Sequence, residues 1–361
     1  MDTTRAASRV ERLLQDGVRA RVCPGAVWAV GDAAGGLAGG GVGSRTPGGE
    51  PATPDTLFDL ASLTKVIVVW PVIGALVARG KLTLDAPLGG FWPEAAGHPL
   101  GDVTPLQLLT HTAGLPLRAN LRASYGTDPQ DVRDGVLRER LRRRPGEAVE
   151  YTDRAALVLG YLAEFLTGRP LRALAEEWVW GPFGMTETRY GPLTGPLAAR
   201  AAPTEYDEET GRHLRGTVHD FSTRLLGGAC GISGTFATAD DLGRFLRRLL
   251  PAPPAPPDPL GAAQGPAPFG AAWVADSLRV RTGGLDPPRG LFWHLAPGTT
   301  AADDIWVHYG FTGTGMWVSP AHGCWAVLLT NKLYFTRETG PVTRLRDAFR
   351  TAVFPTGGGA R

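Results

Sequence analysis

Apolar and polar positions change their period several times along this chain. Residues 5–21 set apolar side chains on one side at helical spacing, which predicts an amphipathic helix. "PGAVWAVGDAAGGLAGGGVGS" then alternates around a Gly-rich turn and reads as two β segments. Residues 62–79 are apolar nearly all round, which places a helix inside a core. Pro71 lies within it and predicts a kink. From about 82 to 250 helical and loop patterns dominate. "TPLQLL", Thr104 to Leu109, opens a helix with a capping threonine and a proline at the first position. Further helices are predicted over 154–166 and 239–250. The Pro-rich stretch 251–268, "PAPPAPPDPLGAAQGPAP", reads as a loop. Short β segments follow at 291–295, 304–308, 314–318 and 324–330, then a helix from about 338 to 352. The tail "PTGGGAR" is expected to be disordered.

Strand patterns thus sit at both ends of the chain and helices fill the middle. The economical architecture is a single sheet built from residues 1–81 and 265–361. A mainly helical lobe, residues 82–264, is inserted between them. A cleft between the two parts is the natural place for a site.

Composition narrows the options. The chain has 361 residues, 43% of them apolar, enough for a large core. Its 37 basic and 35 acidic residues leave a formal charge of +2, which gives no overall field for nucleic acid or an anionic membrane. The local run "RERLRRR", Arg138 to Arg144, reads as a solvated helix face. Cys23, Cys230 and Cys324 are scattered and form no CxxC, so neither a zinc site nor a redox motif is expected. The first 22 residues carry no signal-peptide pattern, and the uncharged run Val66 to Ala78 is short for a membrane span. The expectation is a soluble, cytoplasmic protein.

The candidate chemistry begins at "FDLASLTKV". Ser62 and Lys65 are three apart on a predicted helix and so share a face. In the first turn the helix dipole favours developing charge on the serine oxygen. A serine hydroxyl becomes a useful nucleophile when a neighbouring base takes its proton. A neutral lysine amine could do so. Its pKa would have to fall from about 10.4 to roughly 7, about 4 kcal/mol of desolvation and neighbouring positive charge. The apolar run behind Lys65 suits such desolvation. In "EAVEYTDRAALVLGYL", Tyr151 is placed to exchange protons with a nucleophile or leaving group. Asp153 reads either as a cap for a helix starting at Arg154 or as part of the site. In "WVHYGFTGTGMWVSP", Gly310 permits close backbone approach to a ligand, and an amide there paired with that of Ser62 would form an oxyanion hole.

Together these stretches resemble the serine β-lactamase and penicillin-binding-protein superfamily, whose motifs are S-x-x-K, Y-x-N or S-x-N, and K-T-G. Here they read Ser62-Leu-Thr-Lys65, Tyr151-Thr-Asp153 and His308-Tyr-Gly310. "TPLQLLTHTAGLP", "VHDFSTRLLGGACGISGTFATADDLGRFLRRLL" and "AVLLTNKLYFTR" look like the class C β-lactamase and family VIII esterase branch. The resemblance implies an α/β (α+β), β-lactamase/transpeptidase-like fold: an antiparallel sheet flanked by helices, with an inserted helical lobe. It also implies roles. Ser62 would be acylated, and Lys65 would act as base or share that task with Tyr151. Tyr151 would protonate the leaving group and help activate water. The amides of Ser62 and Phe311 would form the oxyanion hole. Asp153, His308, Tyr309, Gly310 and Phe311 would line the substrate site. Neither a metal nor an organic cofactor is implied.

Three departures matter. Histidine replaces the lysine of the third motif, Tyr309 replaces its threonine, and Asp153 replaces an asparagine. Each makes the site less friendly to an anionic substrate. The expected activity is therefore acyl-enzyme hydrolysis of small esters or lactones. A β-lactamase, a D-alanyl-D-alanine carboxypeptidase or a D-aminopeptidase-like amide hydrolase is the alternative. A non-catalytic penicillin-recognising sensor or scaffold is another. His111 reads as a turn or core histidine, "VHD" at 218–220 as structural or cleft-lining, and Trp317 and Phe311 as walls of an acyl pocket.

Overall fold

The computed structural model describes residues 3–117, 120–251 and 267–354. The tail and most of the Pro-rich stretch lie outside these. Helix α1 (Thr3–Arg19) leads into the hairpin β1 (Gly25–Asp32) and β2 (Gly36–Gly43). The second half of the chain supplies β6 (His294–Leu295), β7 (Trp306–Tyr309), β8 (Gly315–Ser319) and β9 (Cys324–Thr330). These form a six-stranded antiparallel sheet in the order β2-β1-β9-β8-β7-β6, with Trp28 opposite Leu328 and Met316 opposite His308. A smaller sheet joins β3 (Phe58–Asp59), β4 (Arg189–Tyr190) and β5 (Thr235–Ala237) in the order β3-β5-β4.

Alternation along the strands divides the core. Trp28, Trp317 and Leu328 face one side and pack with Val10 and Leu14 of α1 and Phe349 of α6 (Gly340–Val353). Val27, Met316, Val318 and Val327 face the other side and join the larger core. Trp317 is therefore fully buried behind the sheet and walls no acyl pocket, contrary to its expected place.

The apolar segment after Ser62 is not one regular helix. A single tight turn, Ala61–Leu63, passes into a wide turn over Lys65–Val69 and then into α2 (Trp70–Ala78). Pro71 explains the wide turn, because proline cannot donate to the carbonyl four residues back. That carbonyl, Ile67, accepts instead from the Trp180 indole at 3.2 Å. Counted from Ala61, the stretch to Ala78 is 18 residues, long and apolar enough by composition to cross a membrane, but 83% of it is buried within the protein.

Helix α3 (Pro105–Leu109) opens with the expected cap at Thr104, reinforced by Gln107 in a reciprocal capping box. Helices α4 (Asp153–Thr167) and α5 (Ala239–Leu246) also match their sequence pattern. The run Arg138–Arg144 does not. The preceding helix ends at Leu137, and the run is pinned by ion pairs instead. Glu139 is buried against Arg154 at 2.9 Å, and Arg142 and Arg143 both pair with Glu150.

Candidate active site

The nucleophile sits on a strained turn. Strand β3 ends at Asp59, and the Leu60 amide donates to the Thr235 carbonyl at 3.0 Å, docking the turn on β5. Ala61 adopts φ +49°, a left-handed conformation costly for a residue with a Cβ. The buried Asp59 carboxylate holds it there by accepting the Ala61 amide at 2.9 Å. Ser62 follows, half-buried, with its hydroxyl facing the cleft.

Lys65 is completely buried and its ammonium has three acceptors: Ser62 Oγ at 2.9 Å, the Ile232 carbonyl at 2.9 Å and Asp153 Oδ1 at 2.8 Å. An ammonium has three protons, so each is committed. Burial alone would lower the lysine pKa. The Asp153 carboxylate, and after it Tyr151, outweigh that effect and raise it above the usual value. The neutral amine expected from the apolar context is thus not the resting state. Desolvation is present, but an opposite charge supplied from a distant segment overrides it.

Asp153 does not cap its helix. That task belongs to Thr152, whose hydroxyl accepts from the Arg154 amide at 3.2 Å and donates to the Pro116 carbonyl at 2.6 Å. Asp153 is left free to reach Lys65 from the first helical position, and its side chain remains 43% exposed to the cleft. Tyr151 is also exposed. Its ring lies 5.5 Å from Lys65 Nζ and 5.6 Å from the Arg289 guanidinium carbon, against the ring of the buried His111 at 4.6 Å. His111 accepts from the Thr152 amide at 3.4 Å and supports the tyrosine from below, in keeping with a core role.

The third motif bends from β7 into the turn before β8. His308 is buried, and its Nδ1 donates to the Phe292 carbonyl at 2.7 Å. This leaves the lone pair on Nε2, which has no protein partner. Burial first, then His294 and Lys65, hold its pKa well below the usual histidine value. The position therefore carries an uncharged imidazole at neutral pH. A Cβ on Gly310 would overlap Thr314 Oγ1 and the Leu60 carbonyl, so the turn can approach the nucleophile only with glycine here. Thr312 Oγ1 donates to the Asp59 carbonyl at 2.6 Å and Thr314 Oγ1 to that of Leu60 at 3.2 Å, which ties the two turns together. Arg346 of α6 clamps the turn from behind, donating to the Gly310 and Thr314 carbonyls at 2.5 and 2.7 Å.

Two cavities meet at Ser62, Tyr151 and Phe311. The smaller, about 230 Å³, is walled by Arg289, His294, His308, Tyr309 and Arg346. The larger, about 720 Å³, is walled by Asp153, His219, Asp220, Phe221, Ser233 and Arg337. The structure thus gathers every predicted site residue around one cleft. It adds three that the sequence did not reveal. The Ile232 carbonyl is a backbone group, which no residue type announces. Asp59 stands in a familiar phrase but shows its task only once folded. Arg289 is an isolated arginine in a loop, and its Nε and Nη1 are buried without a protein acceptor.

Comparison with known proteins agrees with this geometry. The beta-lactamase family profile matches residues 10–349, and the chain belongs to that family. It is a serine hydrolase. Esterase EstB of Burkholderia gladioli is 31% identical over 341 residues, covering 83% of each chain. A putative D-alanyl-D-alanine carboxypeptidase of Escherichia coli (strain K12) is 28% identical over 316 residues, covering 78% of this chain and 70% of the relative. Among solved structures, a class C beta lactamase from Rhodobacter sphaeroides superposes with TM-score 0.72 at 19% identity, covering 95% of this chain and 99% of the other; it shares the fold.

Proposed function

We propose that the protein hydrolyses small carboxylic esters or lactones through an acyl group carried on Ser62. The observation that carries this reading is Ser62 Oγ, 2.9 Å from Lys65 Nζ, at the junction of two cavities whose third-motif wall is an uncharged imidazole. Ser62 Oγ attacks the ester carbonyl. Lys65 can take the serine proton only as it passes one of its own on, and the acceptors in reach are the Asp153 carboxylate and a Tyr151 phenolate. The leaving alcohol recovers that proton. The amides of Ser62 and Phe311 are the proposed donors to the oxyanion, and the Phe311 amide has no other partner among the described residues. The likeness to an esterase over most of both chains supports the reading. The test is turnover of p-nitrophenyl butyrate and of nitrocefin beside Ser62→Ala. Serine-dependent turnover of the ester alone supports it, and rapid nitrocefin turnover overturns it.

One observation favours a second reading. The buried, unpartnered nitrogens of Arg289 offer a fixed cation in the smaller cavity, a role the missing third-motif lysine would otherwise fill. A guanidinium there suits a substrate bearing a carboxylate, as in a carboxypeptidase-like amide hydrolase. Release of D-alanine from a D-alanyl-D-alanine peptide, lost in Ser62→Ala, would establish that reading.

A further inference from the structure

Release of the acyl group needs a base for water, and Lys65 has no free lone pair in its three-acceptor arrangement. A second titratable pair faces the same cleft. The Asp59 carboxylate, fully buried, accepts the His219 amide at 2.8 Å and its Nδ1–H at 3.0 Å, besides the Ala61 amide. These contacts fix the imidazole's orientation and its tautomer, so the neutral ring carries its lone pair on Nε2. The ring lies near-parallel to that of Phe311, at 25° and 6.0 Å, and both wall the larger cavity together with Ser62. Among the described residues no protein group bonds Nε2. Only Asp59 and Ala61 link the ring to the nucleophile.

We propose that His219, oriented by Asp59, is the general base that activates water for hydrolysis of the acyl-Ser62 intermediate. The proposal rests on the acyl-enzyme reading above. Nε2 takes one proton of a water held in the larger cavity while the water oxygen bonds to the acyl carbonyl carbon. The tetrahedral intermediate then breaks its bond to Ser62 Oγ, which recovers a proton from the Lys65 ammonium. The imidazolium releases its proton to solvent, and Lys65 regains one from there. The products are the carboxylic acid and free Ser62.

The electrostatic surroundings suit a base near neutral pH. Burial lowers the imidazole pKa, but Asp59 on β3, Asp220 on its own segment and Glu205 together raise it above the ordinary value. Arg337 faces the same cavity, and its guanidinium is paired with Glu205. The reactive neutral form is therefore gained as pH rises through a pKa above about 6.5.

The decisive measurement is the single-turnover decay of acyl-Ser62, followed by intact mass after loading with p-nitrophenyl butyrate. His219→Asn keeps an amide donor toward Asp59 and removes Nε2, and His219→Gln provides a second variant. Acylation is expected to stay near the wild-type rate, which also reports an intact fold. Decay is expected to slow by about 10²-fold and to lose its pH limb, the scale of a removed general base. Decay at the wild-type rate would overturn the proposal and leave the esterase reading standing. A parallel loss of acylation and decay in both variants would also overturn it, since that marks a structural role. If butyrate does not acylate the wild type, the esterase reading fails separately, and the same two rates are compared after loading with nitrocefin. An unacylated Ser62 with both reagents overturns both.

Discussion

Lys65 Nζ and Asp153 Oδ1 lie 2.8 Å apart, the amine fully buried and the carboxylate open to the cleft. The pair sets the charge of the group beside the nucleophile, and it exists because Thr152 rather than Asp153 caps α4.

Asp153→Asn should therefore move the alkaline limb of kcat/KM to lower pH. The carboxylate holds the Lys65 pKa above its unfolded value, so its stabilising effect is complete below about 10.4 and lost as pH rises through the folded value. Removing the charge leaves burial to act alone in the opposite direction. A pH–rate profile of the two proteins on p-nitrophenyl butyrate checks this. An unmoved limb would mean that Lys65 is not the titrating group.

The histidines around the cleft should separate sharply by NMR. His219 is expected to titrate above the ordinary histidine value, because Asp59, Asp220 and Glu205 outweigh its burial. His111 and His308 should stay neutral between about pH 5 and 8, and His294 should titrate at about 4. Imidazole C–H shifts measured across that range decide it. Protonation of His308 near 6.5 would remove the argument for an uncharged third-motif wall.

Arg289→Met should discriminate between substrates. For a peptide or ester bearing a carboxylate, KM is expected to rise about 10- to 100-fold, the effect of losing a charged hydrogen bond worth about 1.5–3 kcal/mol. A neutral ester should change far less. Equal losses on both would show that Arg289 supports Tyr151 rather than the substrate.

Gly310→Ala should cost both activity and stability. The added methyl would overlap Thr314 Oγ1 and the Leu60 carbonyl, which forces the third-motif turn away from the nucleophile. A loss of about 1–3 kcal/mol in denaturant melts is expected, as for other overpacked sites, together with a lower kcat. A variant that keeps wild-type kcat would show that the turn can shift without consequence.

Much of this protein is legible in its sequence because it is local. Periodicity places α1, the β1–β2 hairpin and β9, and the Thr104 cap follows from side-chain chemistry within one helical turn. Ser62 and Lys65 meet because three residues make about one turn, whatever surrounds them. What the tertiary structure decided is non-local. Trp317 faces away from the cleft because of the side of the sheet on which its strand register sets it. Lys65 is an ammonium because Asp153, distant in the chain, folds against it. His219 finds its tautomer on Asp59, and Arg289 is left unpaired beside Tyr151, only when distant segments converge. A residue's type and neighbours in sequence fix which chemistry it can perform. Its charge and aim depend on the burial and the opposing charges that packing brings within a few ångströms.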